Sequence, residues 1–578
     1  MKEKWIVHSK RADFDAVGKK FGISPITARI IRNRDIITDE EINMYLNGSL
    51  EELYSPWLLK DMEKAVNIIE EKIVAGKSIR IVGDYDIDGV CAGNILVKGL
   101  DMLDANVSFV VPDRIIDGYG INDRIIDEAL EEGVDTIITC DNGIAAYDTI
   151  SYGKQKGLTI IITDHHEVPE NIPPADAVID ARQKDCKYPY KELCGASIAY
   201  KLICALHNRI KGKLDGVINL LELAAIATIG DVVDLKDENR IIAKYGLGLI
   251  NSSPSKGVQA LINANELKGK KITAYHIGFV IGPCLNAGGR LDTAMKSYTV
   301  IKGDAPNLDD LALELKELND ERKAMTIDNT ELAINIVDSN KEYLTQTVLV
   351  VYLPECHESL AGIVAGRIRE RYNKPTFVIT KGETILKGSG RSIEGYNMYE
   401  ELVKCEKYLA KYGGHEMAAG LSIEENNLEK FIKLINSNSK LTDEDLVQKV
   451  WIDVPMPFNY VKEELIEELS RLEPFGKANT KPVFAEKNVK LLRATVLGQN
   501  RNVIRLNMVN EYGYRMEGTF FSTEEEFVEK LENRFSINEI NELLNGRDNG
   551  IMVSVTYYPE INEYMGNRYI RVIVDRII

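Results

Sequence analysis

Residues 80–93 read RIVGDYDIDGVCAG, an apolar run followed at once by three acidic residues, Asp84, Asp86 and Asp88. The apolar run is typical of a buried β-strand. Carboxylates placed this close together repel one another unless a cation lies between them. The stretch therefore suggests a strand whose carboxyl end carries a metal site.

Further Ile/Val-rich segments continue this pattern, with helical segments between them. The predicted strands are SIRIVGDYD (78–86), ANVSFVVPD (105–113), DTIITCD (135–141), LTIIITDHH (158–166) and DAVIDA (176–181). Short continuous apolar strands that alternate with helices predict an α/β fold with a parallel sheet covered on both faces. In such folds the ligand site lies beyond the carboxyl ends of the strands.

Polar residues fall at three of these strand ends. The first strand ends in 84–88, the third in Asp141 and the fourth in 164–166, which includes His165 and His166. A later apolar helix, LELAAIATIGDVVDL (221–235), adds Asp231 and Asp234. Oxygen ligands with one or two imidazoles suit Mn²⁺ or Mg²⁺, and two such ions can activate water and neutralise charge on a phosphate. Any one of these aspartates could instead cap a helix or shape a turn, but their coincidence with a double histidine favours a site.

Composition indicates a multidomain globular protein, with 578 residues of which 44% are hydrophobic and 28% charged. The N-terminal sequence MKEKWIVHSKRADFD lacks the apolar core of a signal peptide, and the eight cysteines are scattered, so we expect a reducing cytoplasmic location. The net charge of −18 argues against a protein that binds nucleic acid over its whole surface. Any such binding must therefore be local.

Downstream of the predicted sheet, the pattern divides into further domains. Residues 307–338 place Leu308, Leu311, Leu315 and Leu318 on one face of a long helix. Residues 446–578 are rich in strands and suit a small barrel with a helical insert near 523–545. The predicted divisions are an N-terminal extension (1–45), a phosphoesterase-type domain (46–306), a connecting helix (307–340), a second α/β domain (341–440) and the barrel (446–578).

The motifs resemble those of a known family. DYDIDG (84–89), CDNG (140–143), TDHHE (163–167) and GDVVDL (230–235) are similar to the four motifs of the DHH phosphoesterases. The match narrows to the RecJ family of that superfamily through later motifs: GPCLNAGGRLD (282–292), CHESLAGIVAGRI (356–368), GSGRS (388–392), GGHEMAAG (413–420) and LEPFGKANTKPVF (472–484). The resemblance implies a DHH domain, a DHHA1-type substrate-binding domain and a C-terminal OB-fold. It also implies a 5′-to-3′ exonuclease specific for single-stranded DNA that uses two Mn²⁺ or Mg²⁺ ions in DNA repair and recombination.

The resemblance also implies roles for individual residues. The implied metal ligands are Asp86, Asp88, Asp141, His165 and Asp231. Asp84 is implied as an auxiliary ligand, and His166 as a residue that touches the scissile phosphate. The implied substrate-binding residues are Arg114 and Tyr119 on the DNA path, and Arg290, Ser389, Arg391 and His415 around the 5′ end of the strand.

Three departures from the family pattern concern the substrate contacts. Cys284 stands where Arg is common, Cys356 where Trp is common, and ESLAG (358–362) replaces a segment richer in Gly and Val. They leave open an enzyme that acts on RNA or short oligonucleotides. A non-catalytic nucleic-acid-binding relative is a further alternative, although it would be expected to lack metal ligands. A monomer is expected, with single-strand-binding protein or a helicase as candidate partners.

Overall fold

A computed structural model of the chain describes residues 3–113, 117–564 and 566–578. The chain divides into two compact units. The first contains Tyr54–Val233 and Ile242–Gln448, and the second contains Lys4–Leu53, Asp234–Ile241 and Lys449–Ile578. In the described part of the chain, every helix is too short or too polar to cross a lipid bilayer.

The N-terminal segment is helical after one short strand. Its elements are β1 (Glu3–Val7), α1 (Phe14–Phe21), α2 (Pro25–Asn33) and α3 (Asp39–Asn47). Ser24 caps α2, and Thr38 forms a capping box with Glu41 at the start of α3. Local sequence therefore defines where these helices begin.

A five-stranded parallel sheet follows, and the elements around it alternate between strand and helix. These elements are α4 (Met62–Val74), β2 (Ser78–Val82), α5 (Ile87–Asp101), β3 (Asn106–Val110), α6 (Asp123–Glu131), β4 (Thr136–Cys140), α7 (Tyr147–Gln155), β5 (Thr159–Thr163), β6 (Ala177–Ile179), α8 (Gly195–Lys211) and α9 (Leu221–Gly230). The strand order is β3-β2-β4-β5-β6. All five predicted strands are confirmed, but each ends before the polar residues that the predicted segment included. After β2, the chain adds β3 on one side of β2 and then β4 on the other side. Such a change of side opens a crevice between the carboxyl ends of β2 and β4.

Helices connect this sheet to the next one. They are α10 (Asp237–Ser252), α11 (Lys256–Ala264), α12 (Ala274–His276), a π-helix (Ile277–Ile281), α13 (Gly282–Leu291), α14 (Ala294–Lys302), α15 (Leu308–Ser339) and α16 (Lys341–Thr345). The predicted long helix is confirmed in α15. Leu315 and Ala312 are buried on one side of it, whereas Leu313 is exposed.

The second sheet of the first unit is mixed. It is built from β7 (Leu349–Tyr352), α17 (Glu358–Tyr372), β8 (Thr376–Lys381), β9 (Leu386–Arg391), α18 (Met398–Val403), β10 (Lys411–His415), β11 (Ala418–Ile423) and α19 (Leu428–Asn438). The strand order is β10-β11-β9-β8-β7, and only β7 and β8 run parallel. Strand β9 is therefore central, with neighbours on both edges.

The C-terminal strands form a partly closed ring with two helices inserted. Strand β12 (Gln448–Ile452) pairs with β1 in a separate two-stranded sheet. The elements of the ring and its insertions are β13 (Val454–Pro455), α20 (Glu463–Ser470), β14 (Phe484–Leu497), β15 (Val503–Val509), β16 (Arg515–Phe520), α21 (Glu524–Glu532), α22 (Ile537–Leu544), β17 (Met552–Tyr564) and β18 (Asn567–Ile577). The order is β13-β14-β15-β16-β18-β17, and β14 also pairs with β17. Helices α21 and α22 are the predicted insert.

One hydrophobic core holds the second unit together, and it includes both ends of the chain. Ile30 and Ile31 of α2 are fully buried with Phe484 and Leu506 of the barrel. The segment that the sequence presents as an N-terminal extension thus packs with the barrel, because α1–α3 each carry an apolar face that must be covered.

Candidate metal centre

The turn after β2 places three carboxylates at the start of α5. Asp86 is the N-cap, and its Oδ1 accepts hydrogen bonds from the backbone N of Asp88 at 2.9 Å and of Gly89 at 3.1 Å. Gly89 is required there because a Cβ would lie 2.4 Å from the backbone N of Asp84. The capping role of Asp86 and a role in a site are compatible, since the second oxygen of its carboxylate is not used by the cap.

Asp88 is fully buried and is held by a distant helix. Its Oδ2 accepts from Gly195 N at 2.6 Å and its Oδ1 from Ala196 N at 2.7 Å, at the first turn of α8. A helix N-terminus favours an anion, which offsets part of the cost of burial. Burial and the nearby Asp86 carboxylate still raise the pKa of Asp88 to about 7.

Asp141 follows β4 in a left-handed conformation with φ of 62°. Such a backbone is uncommon for a residue other than glycine and often marks a functional site. The neighbouring Asn142 secures the turn, because its side-chain amide donates to Val82 O at 3.0 Å and to Cys140 O at 2.9 Å. Burial and the surrounding carboxylates raise the pKa of Asp141 well above its usual range.

His165 follows β5 and brings the carboxylates together. Its Nε2 lies 3.0 Å from Asp141 Oδ1, 3.5 Å from Asp88 Oδ2 and 3.9 Å from Asp231 Oδ2. Burial, with the nearby His166, lowers the pKa of His165 to about 3, and the ring also hydrogen-bonds the backbone of Leu193. The imidazole is therefore neutral and oriented, as a metal-binding histidine is.

His166 lies at the open side of the cluster. Its Nδ1 is 2.7 Å from Asp164 Oδ1. Burial lowers the pKa of His166, but the Asp164 hydrogen bond and the other carboxylates outweigh burial and raise it to about 9. The Tyr119 hydroxyl donates to Asp141 O at 2.9 Å and lies 3.2 Å from His166 Nε2. Tyr119 therefore contacts the centre itself.

The donor atoms form three overlapping groups, in each of which all atoms lie within 4.8 Å of one another. The groups are Asp141, His165 and His166; Asp88, His165 and Asp231; and Asp84, Asp86 and Asp141. Asp141 Oδ1 is buried and accepts no hydrogen bond in the described part of the chain, although His165 Nε2 is only 3.0 Å away. Such a contact is expected for two ligands of one cation. The arrangement thus fits two divalent ions.

Backbone strain accompanies Asp231 as well. Asp231 is the C-cap of α9, and the next residue, Val232, has φ of 58° and an exposed side chain. A β-branched residue in this conformation is an outlier, because its Cβ crowds the backbone. Strain therefore occurs beside two of the predicted ligands, Asp141 and Asp231.

Two predicted substrate-binding arginines meet at one helix. Arg290, near the end of α13, donates from Nη1 to Ser359 O at 2.7 Å in the first turn of α17. Arg391 ends β9 and packs against α17 so closely that a Cβ on Gly362 would lie 2.8 Å from its Nη2. Arg391 donates to Gly390 O at 2.8 Å, and no carboxylate in the described residues lies within salt-bridge distance of it.

The glycines of GSGRS lie in the central strand β9 and allow it to pack closely against its neighbours. They form neither a turn nor a set of free amides for a phosphate, because β9 pairs with β8 on one edge and β11 on the other. A Cβ on Gly388 would lie 2.5 Å from Ile379 Cδ1, and one on Gly390 2.5 Å from Phe377 Cε1. The glycines therefore face the core, and Ser389 shares the opposite face of the strand with Arg391.

The remaining predicted residues differ in position. His415 ends β10 and is exposed, with its Nδ1 accepting from Met417 N at 3.2 Å. His357, which lies in the motif CHESLAGIVAGRI and was given no role from the sequence, caps α17 by accepting from Ser359 N. Arg114 lies outside the described residues, so its predicted place on the DNA path stays a prediction.

Two residues of the centre were not assigned from the sequence. Asp164 orients His166 and also accepts from Ile144 N at 2.9 Å through Oδ2. Asn286 accepts from Ile87 N at 2.8 Å and so fixes the start of α5 from α13. Both lie within quoted motifs, TDHHE and GPCLNAGGRLD, and their position there is the signal that could have identified them.

Comparison with known proteins gives the same domain series. The DHH family N-terminal domain matches residues 78–228, the DHHA1 domain residues 345–440 and the RecJ OB domain residues 452–576. The single-stranded-DNA-specific exonuclease RecJ of Haemophilus influenzae is 31% identical over 97% of this chain and 97% of its own length. The RecJ of Bacillus subtilis is 34% identical over 88% of this chain, which spans 65% of that relative.

Solved structures agree with these matches. The crystal structure of RecJ in complex with Mn²⁺ from Thermus thermophilus is 27% identical, with a TM-score of 0.83 over 100% of this chain and 80% of the solved one. The same protein in complex with Mg²⁺ gives a TM-score of 0.76 at 25% identity. The order of domains, the extent of the matches and the identity to curated relatives agree, and the chain belongs to the RecJ family of single-stranded-DNA-specific exonucleases.

Proposed function

We propose that this chain is a metal-dependent exonuclease that degrades single-stranded DNA from its 5′ end and releases mononucleotides in DNA repair and recombination. One observation carries the proposal: the predicted ligands, which come from four separate segments, converge within contact distance on His165 Nε2 and on Asp141. A non-catalytic relative would have no need to keep this set complete.

The assignment of ligands rests on this convergence. Asp86, Asp88, Asp141, His165 and Asp231 would hold two divalent ions, with Asp84 as an auxiliary ligand. Mn²⁺ or Mg²⁺ bound there would supply an activated water and positive charge for the developing phosphate. The chain's own part is to hold the carboxylates in place: the α8 N-terminus fixes Asp88, and the Asn142 amide fixes the turn that carries Asp141.

Two further residues, His166 and Tyr119, would lie at the phosphodiester. Against the effect of burial, the bond to Asp164 raises the pKa of His166 to about 9, and the exposed ring in its protonated form would donate a hydrogen bond to the scissile phosphate. The Tyr119 hydroxyl, which lies against the same ring, would limit the motion of His166 and border the path of the strand.

Polarity would come from the surface around α17. Arg290 and Arg391 reach its first turns from different elements, and a guanidinium suits a terminal phosphate. Ser389 lies on the same face of β9 as Arg391, and we include His415 and Arg114 in the substrate-binding set from the family resemblance. Single-strand-binding protein or a helicase as partners, a monomeric state, a cytoplasmic location and the predicted domain limits belong to the same proposal.

Degradation of matched DNA and RNA oligonucleotides tests this function. We expect 5′-to-3′ loss of the DNA strand with Mn²⁺ or Mg²⁺, none in excess EDTA, and recovery when Mn²⁺ is added back. Asp141→Ala should lower kcat by at least ~10³-fold, because this carboxylate belongs to two of the three donor groups. The exposed Asp215, paired with Lys213, offers a control that should keep the wild-type rate. Undiminished activity in EDTA, or preferred degradation of RNA, would contradict the proposal.

A further inference from the structure

Two large aromatic side chains lie side by side on the surface of the first unit. Tyr275 and Phe279 are stacked, with ring centroids 5.1 Å apart and planes at 26°. The residues are 63% and 68% exposed. Exposed pairs of this size on a soluble protein often mark a binding surface.

The backbone that presents the rings is unusual. Phe279 lies in the π-helix Ile277–Ile281 between α12 and α13. Ile277 and Ile281 at its two ends are fully buried, whereas Phe279 between them faces solvent. Single π-helical turns are rare and occur frequently at functional sites.

This segment packs directly on the elements that carry the candidate metal ligands. A Cβ on Gly278 would lie 3.8 Å from Ile229 Cγ2, two residues before Asp231. A Cβ on Gly282 would lie 3.1 Å from Ile87 Cδ1, next to Asp88. The aromatic segment therefore packs against α9 and α5, the two helices that carry Asp231 and Asp88 at their ends.

Positive charge directly precedes the rings in the sequence of a chain whose net charge is −18. The stretch KGKK (268–271) directly precedes the aromatic segment, and its lysines are exposed. Lys268 and Lys270 make no ion pair among the described residues. Burial and, to a smaller extent, the charge of Lys270 lower the pKa of His276. The His276 ring packs edge-on against Tyr275, with ring centroids 5.8 Å apart. Lys270 is five residues before Tyr275 in the chain and is exposed.

We propose that Tyr275 and Phe279 form a stacking platform for unpaired nucleobases of the DNA strand at the metal centre, with Lys268 and Lys270 binding its phosphates. The inference rests on the proposed exonuclease function. Aromatic faces with interspersed cations are the usual means of binding single strands without sequence preference, because every base has a π-face. A protein partner would be expected to need a larger contiguous surface than two rings provide.

The test uses the full-length chain with Mn²⁺ and three substrates: a 5′-phosphorylated 12-nucleotide thymidine strand, the same strand with abasic sites near its 5′ end, and the p-nitrophenyl ester of thymidine 5′-monophosphate. We expect Phe279→Ala to raise KM for the 12-nucleotide strand by about 5- to 100-fold. Phe279→Trp should restore the wild-type KM, whereas Phe279→Leu should not. KM for the small ester should not change, because the ester has no second base to stack.

The abasic strand and the charge variants distinguish a loss of base stacking from a nonspecific effect of the substitutions on the protein. Wild-type protein should bind the abasic strand more weakly than the intact one, and Phe279→Ala should lose this discrimination. Lys270→Gln should reduce the salt dependence of binding by about 0.7 in the log–log slope. Trp57→Ala removes another exposed aromatic residue of the first unit, one that contacts Arg209, and should leave every value unchanged.

Some outcomes would contradict the stacking platform without contradicting the proposed exonuclease function. An unchanged KM for the 12-nucleotide strand in both Tyr275→Ala and Phe279→Ala would show that the rings lie off the path, whatever else they bind. An equal loss on the strand and the small ester would show that the rings support the metal centre instead. If wild-type protein degrades no single strand in Mn²⁺, the proposed function itself fails, and this result is distinct from both.

Discussion

Replacing Arg391 by alanine should selectively weaken the use of strands that carry a 5′-phosphate. The Arg391 guanidinium donates one hydrogen bond, to Gly390 O, and meets no carboxylate in the described residues. Burial and the nearby Arg369 lower its pKa, so the cation is incompletely compensated within the fold. A terminal phosphate would supply the missing negative charge.

The magnitude follows from the kind of contact that is lost. A hydrogen bond to a charged group contributes ~1.5–3 kcal/mol, which corresponds to a loss of ~10- to 150-fold in the ratio of kcat/KM for 5′-phosphorylated over 5′-hydroxyl strands. Folding should change little, because the substitution leaves no carboxylate unpaired. Arg369→Ala is the matched control, since Arg369 already has Glu370 as a partner at 3.1 Å and should shift the ratio far less.

The assay compares the two strands under single-turnover conditions with Mn²⁺, with thermal unfolding measured in parallel. Gly362→Ala provides an independent check, because its new Cβ would lie 2.8 Å from Arg391 Nη2 and displace the guanidinium without removing its charge. It should lower the same ratio. An unchanged ratio in Arg391→Ala, or an equal fall with both strands, would refute the assignment of this arginine to the 5′ end.

The other predictions concern the centre and the fold. Asp164→Asn should lower kcat by about 10- to 100-fold with little change in Mn²⁺ affinity measured by calorimetry, because Asp164 orients His166 from outside the donor groups; a wild-type kcat would contradict this. Gly390→Ala should destabilise the protein by ~1–3 kcal/mol in urea unfolding, since its Cβ would lie 2.5 Å from Phe377, whereas Gly413→Ala meets nothing within 4 Å and should be neutral. Deleting residues 446–578 should expose the apolar faces of α1–α3 and cause aggregation in size-exclusion chromatography, and a monodisperse product would show that these helices are stable without the barrel.

The sequence alone predicts the first sheet and the convergence of polar residues at its edge, for one physical reason. Parallel strands joined by helices bring their carboxyl ends to one edge, so polar residues after successive strands must meet there. The long helix α15 and the helical insert of the barrel are likewise predicted, because periodic apolar residues and helix caps are local features. For Asp86, local sequence features do not distinguish a helix cap from a site residue, because the same side chain is both a helix cap and a member of a donor group.

Only the tertiary structure decides contacts between residues far apart in the chain. Asp88 is held by the backbone of Gly195 and Ala196, and no pattern near Asp88 indicates which helix will supply those amides. The glycines of β9 face a core whose members come from β8, β11 and α18, so the motif alone does not indicate which side chains surround them. Side-chain packing over long sequence separations also joins α1–α3 to the barrel. The sequence therefore determined which chemical groups gather at the sheet edge, whereas the fold determined what holds them there and which surfaces remain open to a strand.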